Sequence, residues 1–278
     1  MYERIIVPLD GSKLAEAALP YAEELAAKMG SYISLLTVLG PEEVLQPKSH
    51  TTYINEILNV TKYHAEKYVE HTGNKPIEVM KVTLSGDPAE TIIKYTSKMP
   101  FQLIIMASHG RSGLTRWAVG SVADKVVRAS MSQPVMLIRA KKSRSDIRDK
   151  RILKKALVPL DGSILSEAVI PYIINMASKL QMEVTLLQIV SEGNHSYADA
   201  ETYLQSECSL FRELGINVEY KVGVGSAADE IIDTADKLAF DLVAMSTRGK
   251  TEFRLWSLGS VAQKVFLGGN TPLLLVKQ

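Results

Sequence analysis

The chain has 278 residues, of which 46% are apolar, enough to bury two cores of ordinary size. Its 32 basic and 31 acidic residues are mixed along the sequence and give a net charge of +1, which argues against nucleic acid or an anionic membrane as a partner. The lone Cys208 excludes an internal disulfide, and no apolar run approaches the roughly 18–20 residues that span a bilayer. The N-terminal residues do not resemble a signal peptide, so we expect a soluble cytoplasmic protein.

In chain order, the first half alternates apolar strands with helical patterns. Five strands are predicted, over Arg4–Leu9, Tyr32–Val38, Ile77–Val82, Phe101–Ala107 and Gln133–Arg139. Helices are predicted over Lys13–Met29, over a stripe that includes Ile54 and Tyr68, from the cap Asp87 to Lys98, and over Val122–Arg128. Pro20 should kink or divide the first helix, and Pro41–Ser49 is predicted to be a loop. Such alternation is typical of a parallel, doubly wound sheet.

The second half repeats the first. Ala156–Ser163 matches Ile5–Ser12 at a distance of 151 residues, whereas Gly225 follows Gly86 by 139 residues, so the first half carries 12 extra residues after its second strand. Between the halves, the charged run Ala140–Lys154 lacks the interleaved aromatic residues of a nucleic-acid site and is interpreted as a linker. We therefore predict two domains and a connection: 1–140, a linker over 141–152, and 153–278.

Each half contains a buried strand, then a loop rich in glycine and hydroxyl groups, then a helix that begins near Gly120-Ser121 or Gly259-Ser260. Glycines let the backbone approach a ligand closely, and the first amides of a helix lack an intrahelical acceptor, so this arrangement suits a phosphate. The loops contain the glycines Gly110 and Gly249 and an excess of donors: Ser108, His109, Arg111, Ser112, Thr247, Arg248, Lys250 and Thr251. Two tight turns around a short connection are the alternative, but turns do not require that excess. Neither loop matches a P-loop or the Rossmann glycine pattern.

A carboxylate follows the first strand of each half, Asp10 in one and Asp161 in the other. In an open α/β sheet, ligands bind beyond the carboxyl ends of the strands, where these side chains could accept hydrogen bonds from a ribose or a base. The alternative is that Asp-Gly-Ser only makes the turn and caps the next helix. The matching loop after strand four favours the ligand.

The sequence carries no positive signal for catalysis or for a dedicated metal site. Arg248 replaces His109 in the second half, which excludes a histidine base common to both halves. Trp117 and Trp256 are expected to pack against the sheet or the other domain. The remaining histidines show no metal-ligand spacing with carboxylates or Cys208: His50, His64, His71 and His195. A hard cation would be one that the phosphates carry.

These features closely resemble the universal stress protein family, in the tandem form that carries two such domains in one chain. The resemblance covers nearly the whole chain outside the linker. The family signature Gly-x2-Gly-x9-Gly-Ser/Thr is matched in its latter part by Gly110 to Ser121 and by Gly249 to Ser260. Ala107 and Ser246 replace its leading glycine, and we expect these small side chains to reshape or weaken binding rather than to abolish it.

The resemblance implies a fold and a ligand. Each half would be a Rossmann-like domain with a five-stranded parallel sheet of order 3-2-1-4-5, flanked by helices, and would bind ATP or AMP, with Mg²⁺ carried on the phosphates. The aspartate after strand one would lie near the nucleoside, the end of strand two would meet the adenine, and the glycine loop would hold the phosphates. The residues so assigned are Pro8, Leu9, Asp10, Val38, Ala107, Ser108, His109, Gly110, Arg111, Gly120, Ser121, Val122, Pro159, Leu160, Asp161, Ile189, Ser246, Thr247, Arg248, Gly249, Lys250, Gly259, Ser260 and Val261.

The resemblance further implies that Val135–Arg139 and Leu273–Lys277 pair within the chain, giving a pseudo-two-fold monomer that could pair again as a homodimer. The expected function is that of a nucleotide-binding stress protein that acts as a sensor or regulator. Two alternatives stay open. One is a slow ATPase on the same sites. The other is a scaffold that binds partners but no nucleotide, through strand five or the inserted segment Pro41–Lys75.

Overall fold

The computed structural model describes residues 2–45, 47–72, 77–98, 100, 102–109, 119–130, 133–139, 152–191, 196–248 and 258–277. The chain divides into two compact units, Met1–Ile152 and Leu153–Gln278. Of the predicted linker, 141–152, only Ile152 is among the described residues. Trp117 and Trp256 also lie outside them.

The first unit is a parallel sheet with helices between its strands. Its strands are β1 (Arg4–Leu9), β2 (Tyr32–Leu39), β3 (Val79–Ser85), β4 (Gln102–Ala107) and β5 (Val135–Ile138). Its helices are α1 (Leu19–Met29), α2 (Pro41–Leu45), α3 (Pro47–Thr72), α4 (Pro88–Thr96) and α5 (Ser121–Ala129), and a 3₁₀ helix over Ala15–Ala18 precedes α1. The strand order is β3-β2-β1-β4-β5, and every neighbouring pair is parallel.

The second unit repeats this arrangement. Its strands are β6 (Lys155–Pro159), β7 (Glu183–Val190), β8 (Val218–Val224), β9 (Leu242–Ser246) and β10 (Leu273–Val276). Its helices are α6 (Ile164–Glu167), α7 (Ile170–Leu180), α8 (Ser196–Glu213), α9 (Ala227–Lys237) and α10 (Ser260–Gly268). The order β8-β7-β6-β9-β10 is again parallel throughout, so the predicted order 3-2-1-4-5 is confirmed in both units.

The central strands are buried on both faces, as their continuous apolar runs predict. Ile5, Ile6 and Val7 in β1 have no exposed surface, and neither do Leu103 and Ile104 in the neighbouring β4. Polar side chains are therefore available to a ligand mainly where the chain leaves the sheet. This position of the core directs attention to the carboxyl ends of the strands.

Two local predictions about the helices are confirmed. The Asp87 side chain accepts a hydrogen bond of 3.0 Å from the Glu90 amide and caps α4, with Pro88 at its first position. The predicted helix 13–29 is divided near Pro20 into a 3₁₀ turn over Ala15–Ala18 and the helix α1, which begins at Leu19. Proline is tolerated there because the first turn of a helix does not use its amide.

Other boundaries in the first unit differ from the prediction. Pro41–Ser49 is not a loop: α2 occupies Pro41–Leu45 and α3 begins at Pro47. Gly40-Pro41 followed by two glutamates is a sequence typical of a helix start, since proline suits the first turn and acidic groups favour the positive end of the helix dipole. The third strand runs over Val79–Ser85 rather than 77–82, because its pairing with β2 continues to Leu39.

Helix α1 carries two buried carboxylates. Glu24 is 2% exposed, and its two carboxylate oxygens accept hydrogen bonds of 3.1 Å from the backbone amide of Ile152. Glu23 has no exposed surface, and its Oε1 lies 3.5 Å from Nδ1 of His64 on α3. The end of the predicted linker is thus held by a buried charged acceptor of the first unit.

Among the described residues, no helix has both the length and the hydropathy to span a membrane.

Candidate functional site: a cleft in each unit

A cavity of about 290 Å³ opens at the carboxyl ends of β1, β2 and β4, beside the start of α5. We call it the first cleft. Its volume is near the lower end of the range for small-molecule pockets. Its lining residues are Pro8, Leu9, Asp10, Ala15, Leu36, Val38, Glu43, Pro88, Ile92, Met106, Ala107, Ser108, His109, Gly120, Ser121, Val122 and Ala123.

A cavity of about 250 Å³, the second cleft, occupies the same place in the second unit. It lies at the carboxyl ends of β6, β7 and β9, beside the start of α10. Its lining residues are Pro159, Leu160, Asp161, Ser166, Leu187, Ile189, Ala227, Ile231, Met245, Ser246, Thr247, Arg248, Gly259, Ser260, Val261 and Ala262. The two clefts therefore lie at the same edge of the same fold, where strand order reverses.

The clefts bring together the predicted residues that the structure describes. The four predicted loop residues Gly110, Arg111, Gly249 and Lys250 lie outside the described residues. Sequence reasoning missed several lining residues, among them Ala15, Ser166 and the side chains that α4 and α9 contribute. It also missed Glu43, because the segment that carries this carboxylate was predicted to be a loop. The helix-start pattern at Pro41 was the signal that could have placed it.

Asp10 and Asp161 each close the turn after the first strand of their unit. Oδ1 of Asp10 accepts hydrogen bonds from the Ser12 amide at 2.9 Å and the Ser12 hydroxyl at 2.6 Å. The same bonds from Ser163 to Asp161 measure 3.0 and 2.5 Å. The turn-making role that was weighed against ligand binding is thus present, and both carboxylates also line their clefts. The turn fixes each carboxylate at the cleft wall.

The helix after strand four begins in the same way in both units. The Gly120 amide donates to the carbonyl of Ser108 at 2.8 Å, and the Gly259 amide donates to that of Thr247 at 2.7 Å. These bonds hold each helix start against the end of strand four. By helix geometry, the amides of the first turn have no intrahelical acceptor, and that turn lines the cleft. A cleft lined by the amides at the start of a helix attracts an anion.

The residues directly after strand four differ between the clefts. Ser108 is fully buried, and its hydroxyl lies 3.0 Å from Nδ1 of His109. Its counterpart Thr247 is 4% exposed, and Oγ1 of Thr247 has no hydrogen-bond partner among the described residues. Ser246, which replaces the family glycine, accepts a hydrogen bond of 3.3 Å from the Arg248 amide. Its hydroxyl therefore serves the local turn.

One basic residue follows the fifth strand of each unit. Burial lowers the pKa of Arg139 to about 10. Burial also lowers the pKa of Lys277, and the positive charge of Arg248 lowers it further. Arg248 and Lys277 thus repel each other beside the second cleft. A negatively charged ligand would relieve that repulsion.

The described residues include no group of three or more histidine, cysteine, aspartate or glutamate side chains able to hold a metal ion. Cys208 is buried in α8, and burial raises the pKa of its thiol. Raising that pKa disfavours the reactive thiolate. The arrangement in each cleft therefore suits binding of a molecule with an apolar part and an anionic part.

Comparison with known proteins supports this reading of the fold. The sequence model of the universal stress protein family matches residues 1–139 and again 153–277. Universal stress protein YxiE of Bacillus subtilis is 31% identical over 150 residues, which are 50% of this chain and all of that protein. A universal stress protein structure from Archaeoglobus fulgidus covers this whole chain and 99% of its own, at 20% identity and a TM-score of 0.73.

A further structure from A. fulgidus is a universal stress protein in complex with dAMP. It is 21% identical and covers 46% of this chain and all of its own, with a TM-score of 0.38. Two matches to the family model, one for each unit, account for nearly all of the sequence. The chain therefore belongs to the universal stress protein family, as a tandem of two such domains.

Proposed function

We propose that this chain binds an adenine nucleotide, ATP or AMP, in each of its two clefts and acts as a sensor or regulator in a stress response. One observation carries the proposal: the same cavity recurs in both units, with a turn-held aspartate on one side and the first amides of a helix on the other. Recurrence matters because a fortuitous gap between side chains would not keep these two features in both copies.

The parts of the nucleotide follow from the chemistry of the walls. The phosphates would lie at the starts of α5 and α10, where amides and the helix dipole favour negative charge. Asp10 and Asp161 would accept hydrogen bonds from the nucleoside, since both carboxylates line the clefts and each carboxylate oxygen can accept more than one hydrogen bond. The apolar side chains of Val38 and Ile189 would contact the adenine.

A regulatory role fits the clefts better than a catalytic one. Asp10 and Asp161 are the titratable side chains common to both clefts among the described residues, and each is engaged in its turn. His109 could accept a proton in the first cleft, but Arg248 cannot in the second. Mg²⁺, if present, would be bound through the phosphates rather than by a protein cage.

We also propose that the domains extend over 1–140 and 153–278, with a linker over 141–152.

Release of nucleotide from the denatured protein, followed by calorimetric titration of the stripped chain with Mg-ATP, tests the proposal. One or two equivalents of bound nucleotide are expected. Ser121→Asp and Ser260→Asp then locate the sites. Both serines are exposed at the first helical position, where aspartate favours the helix dipole but repels a phosphate. Each variant should lose at least about 100-fold in affinity at its own cleft.

Ser121→Ala and Ser260→Ala are the matched controls, because they keep the backbone amides and add no charge. We expect both to lose at most one hydroxyl contact, about threefold to tenfold in affinity, well short of the loss in the aspartate variants. Absence of released nucleotide and of binding heat would favour the scaffold alternative. Full affinity in the Ser121→Asp, Ser260→Asp double variant would show that the nucleotide binds outside these clefts. Turnover of ATP well above that of the double variant would favour the ATPase alternative.

We further propose that Val135–Arg139 and Leu273–Lys277 pair with each other and that the chain can form a homodimer. Each segment contains the fifth strand of its unit, which ends the strand order on one side. An unpaired strand at that position leaves hydrogen-bonding groups open to another strand. Sedimentation equilibrium of the whole chain would distinguish a monomer from a dimer.

A further inference from the structure

Among the described residues of the loop after strand four, the two clefts differ at one charged position. His109 lines the first cleft, and Arg248 takes the equivalent place in the second. A guanidinium is always charged and offers five donors, whereas a neutral imidazole offers only one. The basic residue after the fifth strand does not add to the difference, because Arg139 and Lys277 occupy equivalent places.

A second difference concerns the buried hydroxyl beside that charged position. In the first cleft, the Ser108 hydroxyl is already engaged with the imidazole of His109. In the second cleft, Thr247 is 96% buried, and no described residue partners its Oγ1. A buried hydroxyl without a protein partner is costly, so a hydrogen bond from it to a bound ligand would be favourable. An oxygen of a bound phosphate can accept that hydrogen bond.

A third difference is a carboxylate. Glu43, on the helix α2, lines the first cleft in addition to Asp10. Its Oε2 accepts a hydrogen bond of 2.9 Å from the Gly40 amide, and its Oε1 lies 3.2 Å from Nε2 of His50. Among the described residues that line the second cleft, Asp161 is the one carboxylate. Counted over the described lining residues, the first cleft is therefore the more negative of the two.

We infer that the two clefts select nucleotides by charge: the second cleft favours ATP over AMP, and the first binds the two with similar affinity. The inference rests on the proposed function and goes beyond it by assigning a ligand preference to each unit. Extra phosphates gain the guanidinium of Arg248 and the hydroxyl of Thr247 in the second cleft. In the first cleft, they meet His109, which offers Nε2 but no fixed charge, and a wall whose described residues are net negative. One chain would thereby report on both the amount and the phosphorylation state of adenine nucleotides.

The test measures each cleft by itself in the full-length chain. Ser260→Asp leaves the first cleft intact, and Ser121→Asp leaves the second. Dissociation constants for ATP and for AMP are measured by calorimetry at fixed ionic strength, with Mg²⁺ and with EDTA. The AMP-to-ATP ratio of dissociation constants should be at least about tenfold larger in the second cleft, as expected for one charge-assisted hydrogen bond.

Exchange of the loop residues separates this preference from other differences between the units. Arg248→His in the Ser121→Asp background should lower the ratio about tenfold, and His109→Arg in the Ser260→Asp background should raise it. Arg248→Gln is a second neutral variant in case the first is unstable. Thr247→Val should weaken ATP binding about threefold to tenfold, whereas Ser108→Ala should change it less.

Equal ratios in the two clefts would overturn the inference and leave nucleotide binding standing. A larger ratio in the first cleft would overturn it as well. Failure of the unsubstituted chain to bind either nucleotide would instead overturn the proposed function, and the inference with it.

Discussion

The two units have the same backbone arrangement around their clefts, but the charged side chains that line the clefts differ. The turns after the first strand make equivalent hydrogen bonds: the distance from the serine hydroxyl to the carboxylate is 2.6 Å at Asp10 and 2.5 Å at Asp161. The bonds that hold the helix starts, at Gly120 and Gly259, measure 2.8 and 2.7 Å. The turn after strand one and the start of the helix after strand four are thus alike in both copies. The side chains that line the two clefts differ, and the proposed ligand preference differs with them.

The helical turn after the first strand of each unit repeats this contrast. In the first unit, Lys13 lies 2.9 Å from Glu16 and neutralises it. Ile164 replaces that lysine in the second unit, and the equivalent Glu167 instead accepts a hydrogen bond of 2.9 Å from the hydroxyl of Tyr203. Burial and Glu167 raise the pKa of this phenol. A duplicated acidic position has therefore been balanced by a cation in one copy and by a hydroxyl in the other.

The largest effect that would sharpen this comparison is expected in the last turns of α5 and α10. Phe266 on α10 is fully buried, and Val127 holds the equivalent place on α5. Phe266→Ala should lower the free energy of unfolding by about 3–5 kcal/mol, and Val127→Ala by about 2 kcal/mol, because the aromatic ring leaves the larger cavity. Urea denaturation followed by circular dichroism measures both. Equal losses would indicate that the two helices are packed alike despite the different side chains.

A smaller effect is expected at the caps of the helices that border the clefts. The Asp87 side chain caps α4, whereas Ser226, at the start of α9, makes no such bond. Asp87→Ala should therefore cost about 1 kcal/mol of stability, and Ser226→Ala a few tenths at most. The same denaturation experiment compares them. A cost at Ser226 as large as that at Asp87 would contradict the difference in capping.

The smallest effect concerns pH. Burial, and then the charge of Glu167, raise the pKa of Glu207. Because the folded pKa lies above the unfolded value, stability falls as the pH rises through the acidic range and the loss is complete at neutral pH. Glu207→Gln should then stabilise the chain by a few tenths of a kcal/mol at pH 7, since solvent screens this half-exposed group, and by nothing well below both pKa values.

The first unit supplies the control for that experiment. Glu16→Gln removes an ion pair with the exposed Lys13 and should stay within about 0.5 kcal/mol of the parent at pH 7. Unfolding midpoints measured across the pH range reveal the sign. Destabilisation by Glu207→Gln at neutral pH would show that the carboxylate has a favourable partner.

The sequence predicted the parts of the fold that depend on local chemistry and on the repeat. Continuous apolar runs located the buried strands, and Asp87-Pro88 located the start of α4. The aspartates at the strand ends were placed at the clefts because a parallel sheet brings such ends to one edge. Equivalent positions in the second half strengthened each of these predictions.

Features that depend on tertiary contacts were harder to predict. Strand β3 has a weak pattern, with Val79 as its buried apolar residue, so its extent is determined by pairing with β2. Glu43 was assigned to a loop, although a proline followed by two glutamates is typical of a helix start. That Ser108 is engaged with His109 while Thr247 is not could not be read from two similar hydroxyls in aligned loops. Such differences arise from side-chain geometry, which periodicity does not encode.

The bond between Glu24 and Ile152 bears on how the molecule can be divided. A fragment that stops at residue 140 removes the amide donor and leaves a carboxylate that is 2% exposed without these two hydrogen bonds. Removing a hydrogen-bond donor from a buried charged group is strongly destabilising. A first half that keeps these hydrogen bonds therefore extends beyond the family match at 139 to include Ile152.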